Sequence, residues 1–343
     1  MRIAEVMKRS VRMVDIGRAL GVSAVTVSNA LSNQKGVSEE LREKIIAKAK
    51  EMGYVSAAQK TQQTESALSV GVVIHEGYLD KYATFYWDEY QRLSINAVEH
   101  NCVTIVEILK ERDISERTIP LIVKENKIQA LIIMGEISTE YIENLKANID
   151  MPMVFLDFYK RTITDVDCVI SNNFYGMYLL TNEVIRRGHR DLMYVGTVNS
   201  VASITDRFYG FAKSLSENGI ELTKDMVIND REIGSTYVNI ELPEHMPSAF
   251  VCNCDLVAAM VADKLQEQGY RIPEDVSVVG FDNYLYRGLS NIKFTTYDVN
   301  VDRATHTALQ AITDMLSGKK TEGGEVHIIS GKLIMRDSLR TIE

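Results

Sequence analysis

The stretch RMVDIGRALGVSAVTVSNALSNQKGVSEELREKIIAKAKEMGY, residues 12–54, decides how this chain is organised. Ile16, Ala19 and Leu20 place carbon on one face of a first helix, and Gly21 ends that helix in a tight turn. Ser23 is placed to cap the next helix, because its hydroxyl accepts a bond from an otherwise unpaired backbone N–H. Val27, Ala30 and Leu31 give the second helix an inward face. Leu41, Ile45, Ala49 and Met52 recur at helical spacing and lead to Gly53, a natural C-terminal cap. Two short helices across a Gly turn, followed by a third, predict a helix-turn-helix module. The second helix of such a module enters the DNA major groove.

Beyond Tyr54 the run VSAAQKTQQTES (55–66) is polar and lacks an apolar period, so it reads as a linker. At Leu68 the pattern changes. LSVGVVIH (68–75) is an apolar run of strand length, followed by a helical segment through Ala97 and Val98. Then come VTIVEI, a helix, IQALIIMG, a helix, and PMVFLD ending at Asp157. From Asp167 the alternation restarts, with predicted helices near 174–187, 206–218 and 256–268 and strands in LMYV, SAFVC and VSVVGFD. Wholly apolar strands alternating with helices predict parallel sheets covered on both faces. Two such halves predict a ligand cleft outside the carboxyl ends of the strands.

Charge is distributed to match. The 343 residues carry a net charge of −9, but residues 1–60 hold 11 Lys and Arg against 6 Asp and Glu, and the rest holds 27 against 41. A basic head on an acidic body confines phosphate attraction to one end. Cys102, Cys168, Cys252 and Cys254 form no C-x-x-C pair and no zinc-ligand spacing, which suits buried thiols in a reducing compartment. The opening MRIAEVMKRS has no apolar core of the signal-peptide kind, and no stretch is long enough to span a bilayer, so a cytoplasmic location is expected. Residues 1–10 carry no motif.

ALGVSAVTVSNAL, GVSEELREKI and EMGY together resemble the headpiece of the lactose-repressor/galactose-repressor family of bacterial regulators. The run GVSxxTVS is far more specific than a generic helix-turn-helix. RRGHRDLMYVG, GYRIPEDVSVVGFDN and LIMRDS match recurring segments of the same family across the body. The resemblance implies an all-α helix-turn-helix headpiece (11–54), a linker or hinge (55–67), and an α/β periplasmic-binding-protein-like core of two doubly wound parallel-sheet subdomains. Residues 68–170 plus 297–328 would form the N-subdomain, and 171–296 plus 329–343 the C-subdomain. The chain stops soon after Arg336, without the heptad helix that makes some relatives tetramers, so a homodimer is expected.

By match to the family motif, Ala24, Val25 and Asn29 are the base readers. Ala24 and Val25 suit thymine methyls, and Asn29 suits adenine where Arg would favour guanine. Ser23, Thr26, Ser28, Asn33 and Tyr54 match phosphate-contacting positions. The linker departs from the family: Ser56, Ala57 and Gln63 replace the usual Pro, Asn and minor-groove-wedging Leu. Weaker central kinking of the operator is the expectation.

In the cleft, Phe85, Tyr86 and Trp87 are candidate aromatic contacts, with one or two of the three expected to touch ligand. Asp157, Ser203, Arg207 and Asp282 match family ligand positions. Asn253 and Asp255 carry less weight, because Cys254 stands where Asn is usual. His75, Glu76, Tyr284 and Tyr286 are possible contributors to ligand choice. No catalytic residue, metal set or cofactor is implied: there is no G-x-S-x-G, no phosphate-cradling loop and no metal-ligand spacing. The implied protein is a ligand-responsive, DNA-binding repressor of carbohydrate-metabolism genes. It would bind a near-palindromic double-stranded operator as a dimer, with a sugar as effector. A nucleobase or other metabolite as effector, or a regulator uncoupled from its ligand by the unusual hinge, remain open. An enzyme lacks motifs, and a sugar-transport protein would need a signal peptide and no headpiece.

Overall fold

The computed structural model describes residues 12–32, 34, 36–52, 67–79, 84–286 and 289–342. The chain divides into two compact units, with the boundary between Ala67 and Leu68.

The first unit contains helices α1 (Met13–Leu20), α2 (Ala24–Leu31) and α3 (Glu39–Glu51). Ile16, Val27, Ala30, Ile45 and Ala49 form its core, with Leu20, Leu31, Leu41 and Met52 packed around them. One expectation fails here. Ala19 faces solvent, and Gly17 turns inward instead. The reason is the turn after Gly21, which adopts φ 69° and folds the chain back onto α1. A Cβ at Gly17 would lie 2.6 Å from the Val22 carbonyl, so only glycine admits that approach.

The second unit holds two parallel sheets. The first comprises β1 (Leu68–His75), β2 (Cys102–Leu109), β3 (Ala130–Met134), β4 (Met153–Leu156), β5 (Asp167–Ser171) and β11 (Val326–Ile329), in the order β11-β5-β4-β3-β1-β2. Val70, Val72 and Ile74 point to one face, where they meet Leu93 and Ala97 of α4 (Phe85–Ala97) and Ala308 and Ile312 of α11 (Val301–Leu316). Val73, Leu131 and Ile133 point to the other face and meet Tyr141, Ile142 and Leu145 of α7 (Thr139–Asn148). That two-residue alternation, apolar on both sides, explains the unbroken carbon in these strands. The single helix expected between β2 and β3 is instead two short ones, α5 (Glu111–Ser115) and α6 (Leu121–Lys124). Pro120 precedes α6; it lacks an N–H and disfavours helix in the residue before it.

The second sheet comprises β6 (Leu192–Val195), β7 (Val227–Ile228), β8 (Ala249–Cys252) and β9 (Ser277–Val279), in the order β7-β6-β8-β9. Helices α8 (Asn173–Arg186) and α9 (Ala202–Glu217) cover one face and α10 (Asp255–Glu267) the other. The strands β10 (Thr296–Asp298) and β12 (Lys332–Ile334) pair antiparallel as a two-stranded ribbon, which meets β9 through a parallel bridge between Val279 and Thr295. The chain therefore returns from the second sheet to supply α11 and β11 to the first. All four cysteines are free, and Cys102, Cys168 and Cys252 are buried. Among the described residues no helix is long and apolar enough to cross a membrane.

Candidate DNA-reading helix and ligand cavity

Helix α2 starts where the sequence predicts. Ser23 Oγ accepts a hydrogen bond from Thr26 N at 3.0 Å and shares a second with the Thr26 hydroxyl at 2.8 Å. With Val27 and Ala30 inward, Val25 is left 68% exposed, and Ala24, Ser28 and Asn29 lie partly exposed around it. An apolar side chain held in water at the start of a helix is available for a thymine methyl. The other end of α2 is fixed by a residue the sequence reading missed. Arg42 of α3 is 8% exposed, and its guanidinium donates to the carbonyls of Ala30 (3.0 Å), Asn29 (3.4 Å) and Gln34 (3.0 Å). It occupies the carbonyl end of the helix, where the backbone dipole favours a cation. Asn33, Tyr54 and the hinge positions Ser56, Ala57 and Gln63 lie outside the described residues.

In the second unit a cavity of about 320 Å³ opens between the two sheets. Two of its residues sit at strand carboxyl ends in left-handed backbone, Asp157 after β4 with φ 69° and Asp282 after β9 with φ 100°. Such conformations are costly for residues with a Cβ and concentrate at functional sites. Here they aim one carboxylate from each sheet at the same space. Thr84 caps α4 by accepting from Trp87 N, which brings Phe85 and Tyr86 onto the wall. The Tyr86 hydroxyl donates to Asp157 Oδ2 at 2.9 Å, and its ring packs on Tyr78 at 4.6 Å.

Arg207 of α9 enters from the other side. Its Nε donates to Asn173 Oδ1 and its Nη1 to the Asn253 carbonyl, both at 2.8 Å. Its Nη2 lies 3.1 Å from Asp282 Oδ1, and its guanidinium stacks 4.1 Å over Phe281. Burial pushes the Asp282 carboxyl up to about 7 despite the opposing pull of Arg207. The same desolvation raises Asp157, again against Arg207.

Of the predicted ligand residues, Phe85, Tyr86, Asp157, Ser203, Arg207, Asn253 and Asp282 line the cavity. Trp87 does not. It is 40% exposed and its ring lies 5.5 Å from Tyr90, because a third consecutive helical position has rotated off the wall. Asp255 also does not: its Oδ2 accepts from Tyr284 N (2.8 Å) and the Thr296 hydroxyl (3.1 Å), which ties α10 to the ribbon. Asn253 is partly committed as well, donating to Val195 O and Asp230 Oδ2. Of the four further candidates, Tyr286 is on the wall. Tyr78, Glu136, Arg231 and Tyr237 line it without having been singled out. Tyr78 and Glu136 follow the carboxyl ends of β1 and β3, a positional signal available in the sequence. Arg231 and Tyr237 come from an irregular segment with no periodic signal. Outside this cavity, Asp167, Glu325 and His327 come close enough to hold a metal ion, but the Lys320 ammonium already sits between the two carboxylates, at 2.7 Å and 2.9 Å.

A three-helix module with an exposed helix face, joined to a two-sheet core around a largely apolar cavity into which a few charged groups converge, defines a ligand-responsive DNA-binding regulator. Residues 12–56 match the model for bacterial regulatory proteins of the lacI family, and residues 181–339 match a periplasmic binding protein-like domain. The chain belongs to the LacI family of transcriptional repressors and is a DNA-binding regulator rather than an enzyme. It is 26% identical over 325 residues to the HTH-type transcriptional repressor PurR of Pectobacterium carotovorum subsp. carotovorum (strain PC1), covering 92% of this chain and 93% of that one. Its fold is similar to that of the transcriptional regulator CelR in complex with cellobiose (TM-score 0.66, 17% identity, 96% of this chain and 99% of that one). It is also similar to the lac repressor dimer bound to operator and the anti-inducer ONPF (TM-score 0.63, 19% identity, 97% and 100%).

Proposed function

We propose that this chain is a homodimeric cytoplasmic repressor whose operator affinity is set by a sugar-sized, hydroxyl-rich molecule in the cavity between the sheets. Ala24, Val25 and Asn29 read base edges of a near-palindromic operator, and Ser23, Thr26, Ser28, Asn33 and Tyr54 fix register on phosphates. The observation that carries the effector reading is the convergence of Asp157, Arg207 and Asp282 beside the Tyr78 and Tyr86 rings. Paired acceptors and donors at the edge of an aromatic wall suit a molecule with one apolar face and a rim of hydroxyls. A nucleobase is the second reading, favoured by the name of the PurR relatives at 26% identity.

The test is a thermal-shift screen against sugars, sugar phosphates and nucleobases, each hit then titrated into operator binding. Ligand bound to the native state raises the melting temperature by mass action. A sugar that both stabilises the protein and changes operator affinity supports the proposal. A nucleobase doing so supports the second reading. A hit without effect on operator affinity means that the hinge has uncoupled the two sites, since coupling is reciprocal by linkage.

A further inference from the structure

Residues 229–248 join β7 to β8 with no helix or strand between them, although parallel strands are usually joined through a helix. Connections longer than about 15 residues without structure of their own are uncommon in compact domains and usually serve a function. Within this one, residues 230–239 form a loop with closed ends, since Asn239 N donates to the Asp230 carbonyl at 2.8 Å. The stem of the loop is firmly held. Asp230 is fully buried, and its carboxylate accepts from Thr197 N (2.9 Å), Asn253 Nδ2 (2.9 Å) and the Arg231 guanidinium (2.7 Å). Ile240, just beyond the stem, belongs to the core under α10. The tip stands in water: Ile233 is 72% and Tyr237 71% exposed, and Gly234 turns the chain with φ 84°. Ser235 N donates to the Glu232 carbonyl and Tyr237 N to Ser235 Oγ, both at 3.0 Å, so the tip folds on itself.

This loop is one wall of the cavity. Arg231, Ser235, Thr236, Tyr237 and Val238 line it on the inner side. Arg231, Ser235 and Tyr237 also line a groove on the outer side, with Asn239 and Glu241. A single thickness of chain therefore separates the cavity from solvent here. The loop hangs from the second sheet, yet its tip closes on the first. A Cβ built on Gly77, just after β1, would overlap Thr236 Oγ1 and lie 3.0 Å from Thr236 Cβ. Gly77 keeps its φ outside the left-handed region, so its backbone does not call for glycine. The seat of Thr236 does.

We propose that residues 231–238 are a hinged lid over the cavity, seated on Gly77 and opening from the Asp230–Asn239 stem. Small molecules enter and leave beneath its tip. The inference rests on the cavity and not on which effector fills it. Lids are drawn from the least stable parts of a fold, and a self-folded, water-exposed tip on a fixed stem swings without disturbing the core. Seated, the lid holds Arg231 and Tyr237 against the contents of the cavity. Raised, it joins the cavity to the outer groove.

Cys254 is a built-in reporter of this motion. Its thiol is free and lines the cavity, whereas Cys102, Cys168 and Cys252 are packed in the cores. The experiment treats the full-length protein with methyl methanethiosulfonate and follows modification of Cys254 by peptide mass spectrometry. No effector is needed, so failure of the lid is distinct from failure of the effector reading. Two variants move the lid in opposite directions. Gly77→Val fills the seat of Thr236, and Cys254 should then react faster than in the native chain by about tenfold or more, since reagent and water both reach the thiol. Gly77→Cys combined with Thr236→Cys brings two thiols close to the Cβ spacing of a disulfide, about 3.5–4.5 Å. Once oxidised, this pair pins the tip, and Cys254 should react about tenfold more slowly or less than in the native chain. A pinned protein that reacts as fast as the native one overturns the proposal, because reagent then reaches the cavity by another way. So does a folded Gly77→Val protein that reacts at the native rate, or a double variant that cannot be oxidised, since Thr236 then does not rest on Gly77. If Gly77→Val does not fold, the pinned pair decides alone.

Discussion

Arg207 and Asp282 form a nearly solvent-free ion pair at 3.1 Å, with side-chain exposures of 6% and 9%, on the wall of the cavity between the sheets. Arg207 also donates to Asn173 and to the Asn253 carbonyl, so one guanidinium holds together α8, the end of β8 and the turn after β9. Arg207→Met removes all of this and leaves the carboxylate without its cation. The expected cost is about 3 kcal/mol, typical of breaking a buried pair from one side. Thermal melts should show a deficit that is largest above pH 7 and shrinks in acid, where the carboxyl takes up a proton.

The Asp282 carboxyl sits at about 7 in the folded chain, above its ordinary range near 4 in an unfolded one. Between those two values the folded state holds a proton that the unfolded state has lost, so stability falls as pH rises through this window. Asp282→Asn has no such proton. The stability difference, native chain minus Asp282→Asn, should decline from about pH 4 to about pH 7 and stay flat beyond. Denaturant melts across that range would contradict the assignment if the difference rose instead.

Asn29 is expected to favour A·T at the base pair it faces. Selection of operators from a random pool by Asn29→Arg should move that position toward G·C by about 1–3 kcal/mol of discrimination. An unchanged preference there would mean that Asn29 is a solvated surface residue.

Arg42→Met takes the donors from three carbonyls at the end of the reading helix. The three-helix unit should lose about 2 kcal/mol. In a calorimetric scan the transition of this unit should move down and operator affinity at 37 °C should fall, while the melting of the two-sheet unit stays in place.

Gln63 is expected to replace the wedging Leu of the family with an amide that must be stripped of water to enter a base step. Gel phasing of an operator complex should show little bend at the dyad. A strong kink centred there would show that another residue does the wedging.

What could be read from the sequence followed the range of the forces involved. Helix periods in the headpiece and apolar strands in the core depend on neighbours a few residues away, so Val27, Ile45 and the strands ending at Asp157 and Asp282 were legible. Trp87 was not, because consecutive aromatic residues at a helix start each point about 100° apart. Only the docking of α4 decides which two of the three face the cavity. Asp255 was drawn inward by the Tyr284 amide and the Thr296 hydroxyl, groups 29 and 41 residues away. Arg231 and Tyr237 lie on a segment that carries no period at all.

The left-handed turns at Asp157 and Asp282 put one carboxylate on each of two independently built walls. A small molecule held by both reports the width of the gap, as a gauge block does. One that grips a single wall leaves that width as it found it, since it binds wide and narrow states equally well. Compounds shaped to engage only Asp157 and Tyr86, or only Arg207 and Asp282, would thus occupy the cavity in silence and block the natural signal.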